Sequence, residues 1–259
     1  MLIQERYNRI IELLKKDQCI SVRKLSKELY ASEATIRRDL KHLSEIGQIR
    51  RTFGGATLVE GMHSDVPLVV RNEKYSREKK IIAALAASLI RDDDVIIIDS
   101  SSTCFNMIPY LEHKSNTVIT NSPRVALALS NYPKLKVYST GGYVLENAVS
   151  YVGSAAESMM HNCNCDIMFF SSGGISSDNQ ITDTNEEETR LKKVMIQHSK
   201  KIVALHDSSK LDKVAFSIVC SLDDIDVLVT DRYPGAAWES LLKEHHVHLL
   251  CPENKPGKP

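Results

Sequence analysis

Apolar residues at the start of the chain recur with a helical period. Ile3, Tyr7, Ile10, Ile11 and Leu14 stand at i, i+4, i+7, i+8 and i+11, one stripe of an amphipathic helix. Ser21 is a good N-cap for a second, barely two-turn helix with Val22, Leu25 and Leu29 inward. After the break at Tyr30-Ala31 a third helix is expected, with Ser32 as its N-cap and Glu33 in the first turn, where the helix dipole favours an acid. It carries Ile36, Leu40 and Leu43 on one face. Gly47 stands where helices commonly end, and Ile49 to Leu58, with Gly54-Gly55 in the middle, reads as a two-stranded hairpin.

Residues 58–73 (LVEGMHSDVPLVVRNE) show no sustained period and contain Gly61 and Pro67, which reads as a linker. Beyond them the texture changes. Short strand runs stand at 95–99, 117–121, 136–142, 166–174, 201–207 and 226–231, with helical patterns at 76–91, 103–112, 123–131, 154–161, 186–199 and 235–245. Buried-type strands alternating with helices imply an α/β fold with a mostly parallel sheet covered on both faces. The expected organisation is a small N-terminal domain over 1–57, a linker over 58–73, an α/β domain over 74–250 and a disordered Pro- and Lys-containing tail over 251–259.

Composition excludes several classes. At 259 residues with 42% hydrophobic and 25% charged, the chain has ordinary globular usage rather than that of a disordered, collagen-like or coiled-coil protein. No apolar run approaches the roughly 18 residues of a membrane span, and MLIQERYNRI lacks a signal-peptide core, so a cytoplasmic protein is expected. Six scattered cysteines fit reduced thiols. The 33 basic and 33 acidic residues cancel, which taken alone argues against nucleic acid. By segment the balance is different: residues 1–57 hold twelve basic residues against seven acidic, and the remainder carries the opposite excess of five. The zero is the sum of a basic head and an acidic body.

On a helical wheel, Ala34, Arg38, Lys41 and Glu45 lie opposite Ile36, Leu40 and Leu43, with Arg37 between. A capped helix after a short turn, with a small residue and three cations outward, suits a DNA major groove; the hairpin with Arg50-Arg51 suits backbone phosphates. A helical docking module with a merely solvated basic face remains the alternative from periodicity and charge. The stretch LSKELYASEATIRRDLKHLSEIGQIRRTFGGA closely resembles the DNA-binding region of DeoR-type bacterial transcription regulators. Ser32, Thr35, Ile36, Arg37, Arg38, Asp39 and Leu40 match the recognition helix, and Arg50, Arg51, Gly54, Gly55 and Ala56 match the wing. The resemblance implies a winged helix-turn-helix that contacts double-stranded operator DNA through Ser32, Thr35, Arg37, Arg38, Lys41, Arg50 and Arg51.

In the second part, four strand ends in a row carry small hydroxyl or glycine residues. These are Asp99 to Thr103, Thr120-Asn121-Ser122, Thr140-Gly141-Gly142 and Ser171-Ser172-Gly173-Gly174. In an open α/β sheet ligands sit beyond the carboxyl ends of the strands, and recurrence there points to a polar ligand, although any one of them could be an ordinary turn. From about Glu73 to Asp231 the chain resembles the DeoR-type sensor domain, which looks like the ribose-5-phosphate isomerase fold. That resemblance implies a phosphorylated sugar or related metabolite as effector. Ser100, Ser102 and Thr103 would hold its phosphate with Lys210 or Lys192 as cation; Asp99, Asp183 and Glu188 would meet its hydroxyls; Thr120, Asn121, Gly141, Gly142, Gly173 and Gly174 would line the site. Ser101 stands where the family loop has Gly, and Ser resists positive φ, so a differently shaped loop is expected.

Asp183, Glu188 and Lys192 would also supply the acid, base and cation of a sugar isomerisation, the enzymatic alternative. A covalently attached DNA module makes sensing the simpler role, and the protein is expected to be a homodimer or homotetramer reading repeated half-sites. No cofactor and no metal are expected: neither Cys163-Asn164-Cys165 nor His245-His246-Val247-His248 is paired with a second ligand set at zinc-site spacing.

Overall fold

The computed structural model describes residues 3–17, 19–45, 49–52, 54–58, 68–145 and 148–252, and its contacts divide the chain into two units, Met1–Val70 and Arg71–Pro259. The first holds α1 (Ile3–Asp17), β1 (Cys19–Ser21), α2 (Val22–Glu28), α3 (Glu33–Glu45), β2 (Ile49–Thr52) and β3 (Gly55–Leu58). Ile10, Leu14, Leu25, Ile36, Leu40, Leu43 and Ile49 form its core, so the helical stripes face one another as their spacing implies. Ser21 caps α2 by accepting from the Lys24 amide at 3.2 Å, and Ser32 caps α3 by accepting from the Thr35 amide at 3.1 Å.

The hairpin is part of a larger sheet. β1 pairs antiparallel with β3, which pairs with β2, giving three strands in the order β1, β3, β2. A Cβ at Gly55 would collide with the Ile20 carbonyl, so glycine there is what lets β1 approach. β1 escapes a pattern reading because three residues are too few to show alternation.

The linker reading of 58–73 is corrected in part. Leu58 belongs to β3, and α4 (Leu68–Glu73) closes the segment, with the division between the units falling inside α4. Six residues carry less than two turns of period, too little to distinguish from irregular chain. Gly47, Gly61, Pro67 and residues 253–259 lie outside the described residues.

The second unit continues through α5 (Ser76–Ala87), β4 (Val95–Ile98), α6 (Ser102–Phe105), β5 (Thr117–Thr120), α7 (Pro123–Leu129), β6 (Lys136–Ser139), β7 (Tyr143–Leu145), β8 (Ser150–Val152) and α8 (Ser154–His161). It then runs through β9 (Ile167–Phe170), β10 (Gly174–Ser176), β11 (Gln180–Asp183), α9 (Glu186–Gln197), β12 (Ile202–Leu205), β13 (Ser217–Cys220), β14 (Val227–Val229), α10 (Ala236–Glu244) and β15 (His248–Leu250). Seven strands make one sheet in the order β15, β14, β12, β9, β4, β5, β6, every adjacent pair parallel. Strand residues alternate between its faces. Ile96, Ile98, Phe169 and Val203 pack with Ile82, Ala86 and Val125 of α5 and α7; Ile97, Met168, Phe170 and Ala204 pack with Met160, Leu191, Met195 and Trp238 of α8, α9 and α10. Both faces are dry, as uninterrupted strands such as VIII require.

Two antiparallel pieces stand outside the expected pattern: the β7–β8 hairpin and a sheet in the order β10, β11, β13. Gly174 begins β10 of the second and Gly173 precedes it. A Cβ on Gly174 would strike the Lys213 carbonyl, and one on Gly173 would come within 2.9 Å of the Ala215 side chain. No helix among the described residues is long and apolar enough to cross a membrane.

Candidate DNA interface and effector site

On α3 the side chains sort as the wheel implies. Ala34, Arg37, Arg38 and Lys41 are exposed and Ile36, Leu40 and Leu43 buried. Asp39, inside the run of charge, is 3% exposed and takes two bonds from Arg6 of α1, at 2.6 and 3.1 Å. This bidentate pair locks α1 to α3 and orients the basic face; Asp39 is a fastener, not a reader. Arg37 is held by Glu33 one turn back at 2.7 Å, whereas Arg38 is exposed and has no ion pair among the described residues. The Ser32 and Thr35 hydroxyls lie 2.9 Å apart at the N-terminal end of α3. Arg51 is exposed on β2; of the Arg50 side chain, nothing lies within the described residues.

The carboxyl ends of β4, β5, β9, β11 and β12 bring a second group together, and it has two chemically distinct ends. One is acidic. Lys192 of α9, 5% exposed, donates to Asp183 at 2.5 Å and lies 3.7 Å from Asp99. Burial works against its ammonium, but Asp183, Asp99 and Glu188 more than reverse this and raise its pKa. Burial likewise opposes ionisation of Asp183, and the Lys192 charge and hydrogen bond overcome it, so that carboxyl is held below its ordinary value. Glu188, donated to by the Ser100 hydroxyl at 2.9 Å, is instead pushed up: burial and the Asp183 charge outweigh Lys192, which Asp183 already occupies. Asn121 reaches Ser100 at 3.5 Å, and its Oδ1 is buried without a partner.

The other end is basic. Lys79 of α5, also 5% exposed, donates to the Ser102 hydroxyl at 2.9 Å and to the backbone carbonyl of Arg71 at the end of α4. Burial pushes Lys79 down to about 8; the charges of Lys210, Arg71 and Lys74 add to the drop and Asp207 opposes it. Lys210 is lowered by burial too, with Asp207 and Asp183 opposing and Arg71 and Lys74 reinforcing. Arg71 Nε is buried with no partner. The charges of Arg71, Lys74, Lys79 and Lys210 thus bear on one another, with Asp207 and Asp183 opposing them.

The expected site residues are therefore drawn together unevenly. Asp99, Ser100, Asn121, Asp183, Glu188 and Lys192 lie together at the acidic end, and Ser102, through Lys79, and Lys210 at the basic end. Asp99 is occupied structurally: Oδ1 accepts from the Ser101 amide at 2.9 Å and Oδ2 from the Ser171 amide at 3.2 Å, which shapes the loop. Ser101 sits at φ −66° and caps α6, so serine is unstrained where the family has glycine. Thr120 holds the Ser122 amide at 3.0 Å rather than facing the network. Gly141 and Gly142, both at positive φ, lie between β6 and β7; a Cβ on Gly142 would strike the Val152 carbonyl, so that glycine serves packing. Gly173 and Gly174 do the same for the small sheet.

The sequence reading missed Arg71, Lys74, Lys79 and His206. Lys79 had a signal: it stands with Ile82, Ala83 and Ala86 on the buried stripe of α5, a cation where an apolar residue belongs. His206 is fully buried beyond β12, 2.7 Å from the Ser172 hydroxyl, and burial pushes it down to about 4.

Two family models match the chain, the DeoR-like helix-turn-helix domain over residues 6–61 and the DeoR C-terminal sensor domain over residues 74–232. The HTH-type transcriptional repressor GlcR of Bacillus subtilis is 36% identical over 258 residues, covering 100% of both chains. The HTH-type transcriptional regulator GolR of Listeria innocua is 35% identical over 229 residues, 88% of this chain and 90% of the other. Among solved structures, ribose 5-phosphate isomerase A of Neisseria gonorrhoeae shares 18% identity at a TM-score of 0.39, over 51% of this chain and 52% of that one; no activity follows from a likeness of that size. The basic three-helix head, the strand-end site and full-length identity to such regulators agree: this chain belongs to the DeoR family of DNA-binding transcriptional regulators.

Proposed function

We propose that the protein represses its target genes as a homo-oligomer and is released from its operator by a phosphorylated sugar bound at the strand ends. The observation that carries this reading is the division of the site into a basic end, Arg71, Lys74, Lys79 and Lys210, and an acidic end, Asp183, Glu188 and Lys192 with Asn121. Lys79 and Lys210, lowered first by burial and further by neighbouring cations, recover that cost when a dianion arrives beside them. A phosphate, carrying roughly −1.5 to −2 charges near neutrality, is such a ligand. At the acidic end, carboxylates and an unpartnered amide oxygen accept from hydroxyls, so a polyhydroxylated body fits there.

The assignment of phosphate to a cation differs from the one the resemblance implied. Lys192 is engaged by Asp183 at 2.5 Å, which leaves Lys79, Lys210 and Arg71 for the phosphate. Helix-turn-helix dimers read half-sites about 34 Å apart, and an effector needs a coupling of only about 1–3 kcal/mol, 5–150-fold, to release them. Operator affinity measured with a panel of pentose and hexose phosphates, their unphosphorylated sugars and inorganic phosphate tests the reading. One sugar phosphate is expected to weaken binding at least fivefold while its parent sugar does nothing. No response to any sugar phosphate would refute it.

A further inference from the structure

The turn between α2 and α3 holds a residue the fold does not use. Tyr30 is 97% exposed and adopts φ +50°. Left-handed backbone favours Gly and Asn, and an aromatic side chain gains nothing there unless it finds a partner. The turn is closed without it: the Ala31 amide donates to the Ser26 carbonyl at 3.2 Å, and the Ser26 hydroxyl returns a bond to the Ala31 carbonyl at 2.6 Å. Among the described residues the Tyr30 ring and hydroxyl make no hydrogen bond or ring contact, while Leu29 before it and Ala31 after it belong to the helical core.

Its position says what it can touch. Tyr30 precedes the Ser32 cap by two residues, so its Cα lies within about 7 Å of the N-terminal end of α3, and the phenol reaches nearly as far again. In a helix-turn-helix that end of the recognition helix enters the major groove, whose rims are backbone phosphates. From these observations we propose that Tyr30 is a further DNA-contacting residue, its hydroxyl donating to a backbone phosphate at the groove's rim.

A neutral donor leaves a signature distinct from that of an arginine. Binding through Lys or Arg releases condensed counterions and steepens the salt dependence of affinity, whereas a hydroxyl adds a hydrogen bond and releases none. The test uses the full-length protein with two duplexes, one selected from a random pool by the wild-type protein and one unselected, titrated across roughly 50–200 mM salt. Tyr30→Asn suits the left-handed turn but is too short to reach the phosphate; Tyr30→Phe keeps the ring and removes the hydroxyl. Both are expected to bind each duplex roughly three- to tenfold more weakly, the size of one net hydrogen bond, with an unchanged salt slope. The thermal midpoint of Tyr30→Asn should equal or exceed that of the wild type. Undiminished affinity in Tyr30→Phe, a loss confined to the selected duplex, a changed salt slope, or a destabilised Tyr30→Asn would each overturn the proposal.

Discussion

Lys79 and Lys192 are equally buried, yet their surroundings drive them in opposite directions. Lys192 is raised because three carboxylates outweigh its burial, so removing its charge strands them. Lys192→Met should cost about 3–5 kcal/mol of unfolding free energy, the usual penalty for deleting one partner of a buried ion pair, measurable by denaturant titration. Lys79, lowered to about 8, is a burden on the free protein. Because the unfolded chain holds more protons between pH 8 and its ordinary value of 10.5, this lysine makes stability rise with pH through that window. Lys79→Met is therefore expected to keep or raise thermal stability while weakening sugar-phosphate binding about tenfold or more by calorimetry. Wild-type effector affinity should fall as pH rises past about 8 and Lys79 discharges.

At the scale of elements, α3 and the hairpin are expected to take different parts in DNA binding. Arg38 projects from the exposed face of a helix fastened to α1 through Asp39 and Arg6, a rigid platform for reading a base edge. Arg51 sits on β2, in a sheet that Gly55 allows β1 to complete. Arg38→Ala should cost about 1–3 kcal/mol and relax base preference at one position, whereas Arg51→Ala should weaken all sequences alike and lower the salt slope by about 1. Binding to a degenerate duplex library at several salt concentrations separates the two, and identical behaviour would contradict the division.

For the whole molecule, the division between units falls within α4, and this changes where the effector unit begins. Arg71 and its carbonyl belong to the basic end of the site, on the sequence-distal side of that division. A fragment of residues 71–259 is therefore expected to bind the sugar phosphate, and one of residues 74–259 to bind it markedly more weakly, since it lacks both the guanidinium and the acceptor for Lys79. Calorimetry on the two fragments checks this. Residues 1–67, which contain the basic excess, should retain salt-dependent binding to duplex DNA, and the acidic remainder should show none.

The sequence by itself determined whatever is encoded locally. The three helices of the head, their Ser21 and Ser32 caps, six parallel strands and the helices between them follow from periods of 3.6 and of buried runs, which depend on neighbours a few residues away. The charge division and the family motifs were legible for the same reason. Only the tertiary structure decided what meets across the chain. It set Asp39 against Arg6, 33 residues away, and Lys192 against Asp183. It also carried Arg71, Lys79 and Lys210 to one end of the site, and showed Gly142, Gly173 and Gly174 to be demanded by neighbouring backbone and side chains. Burial and the sum of surrounding charges set each of these outcomes, and both are properties of three-dimensional packing that no local spacing contains.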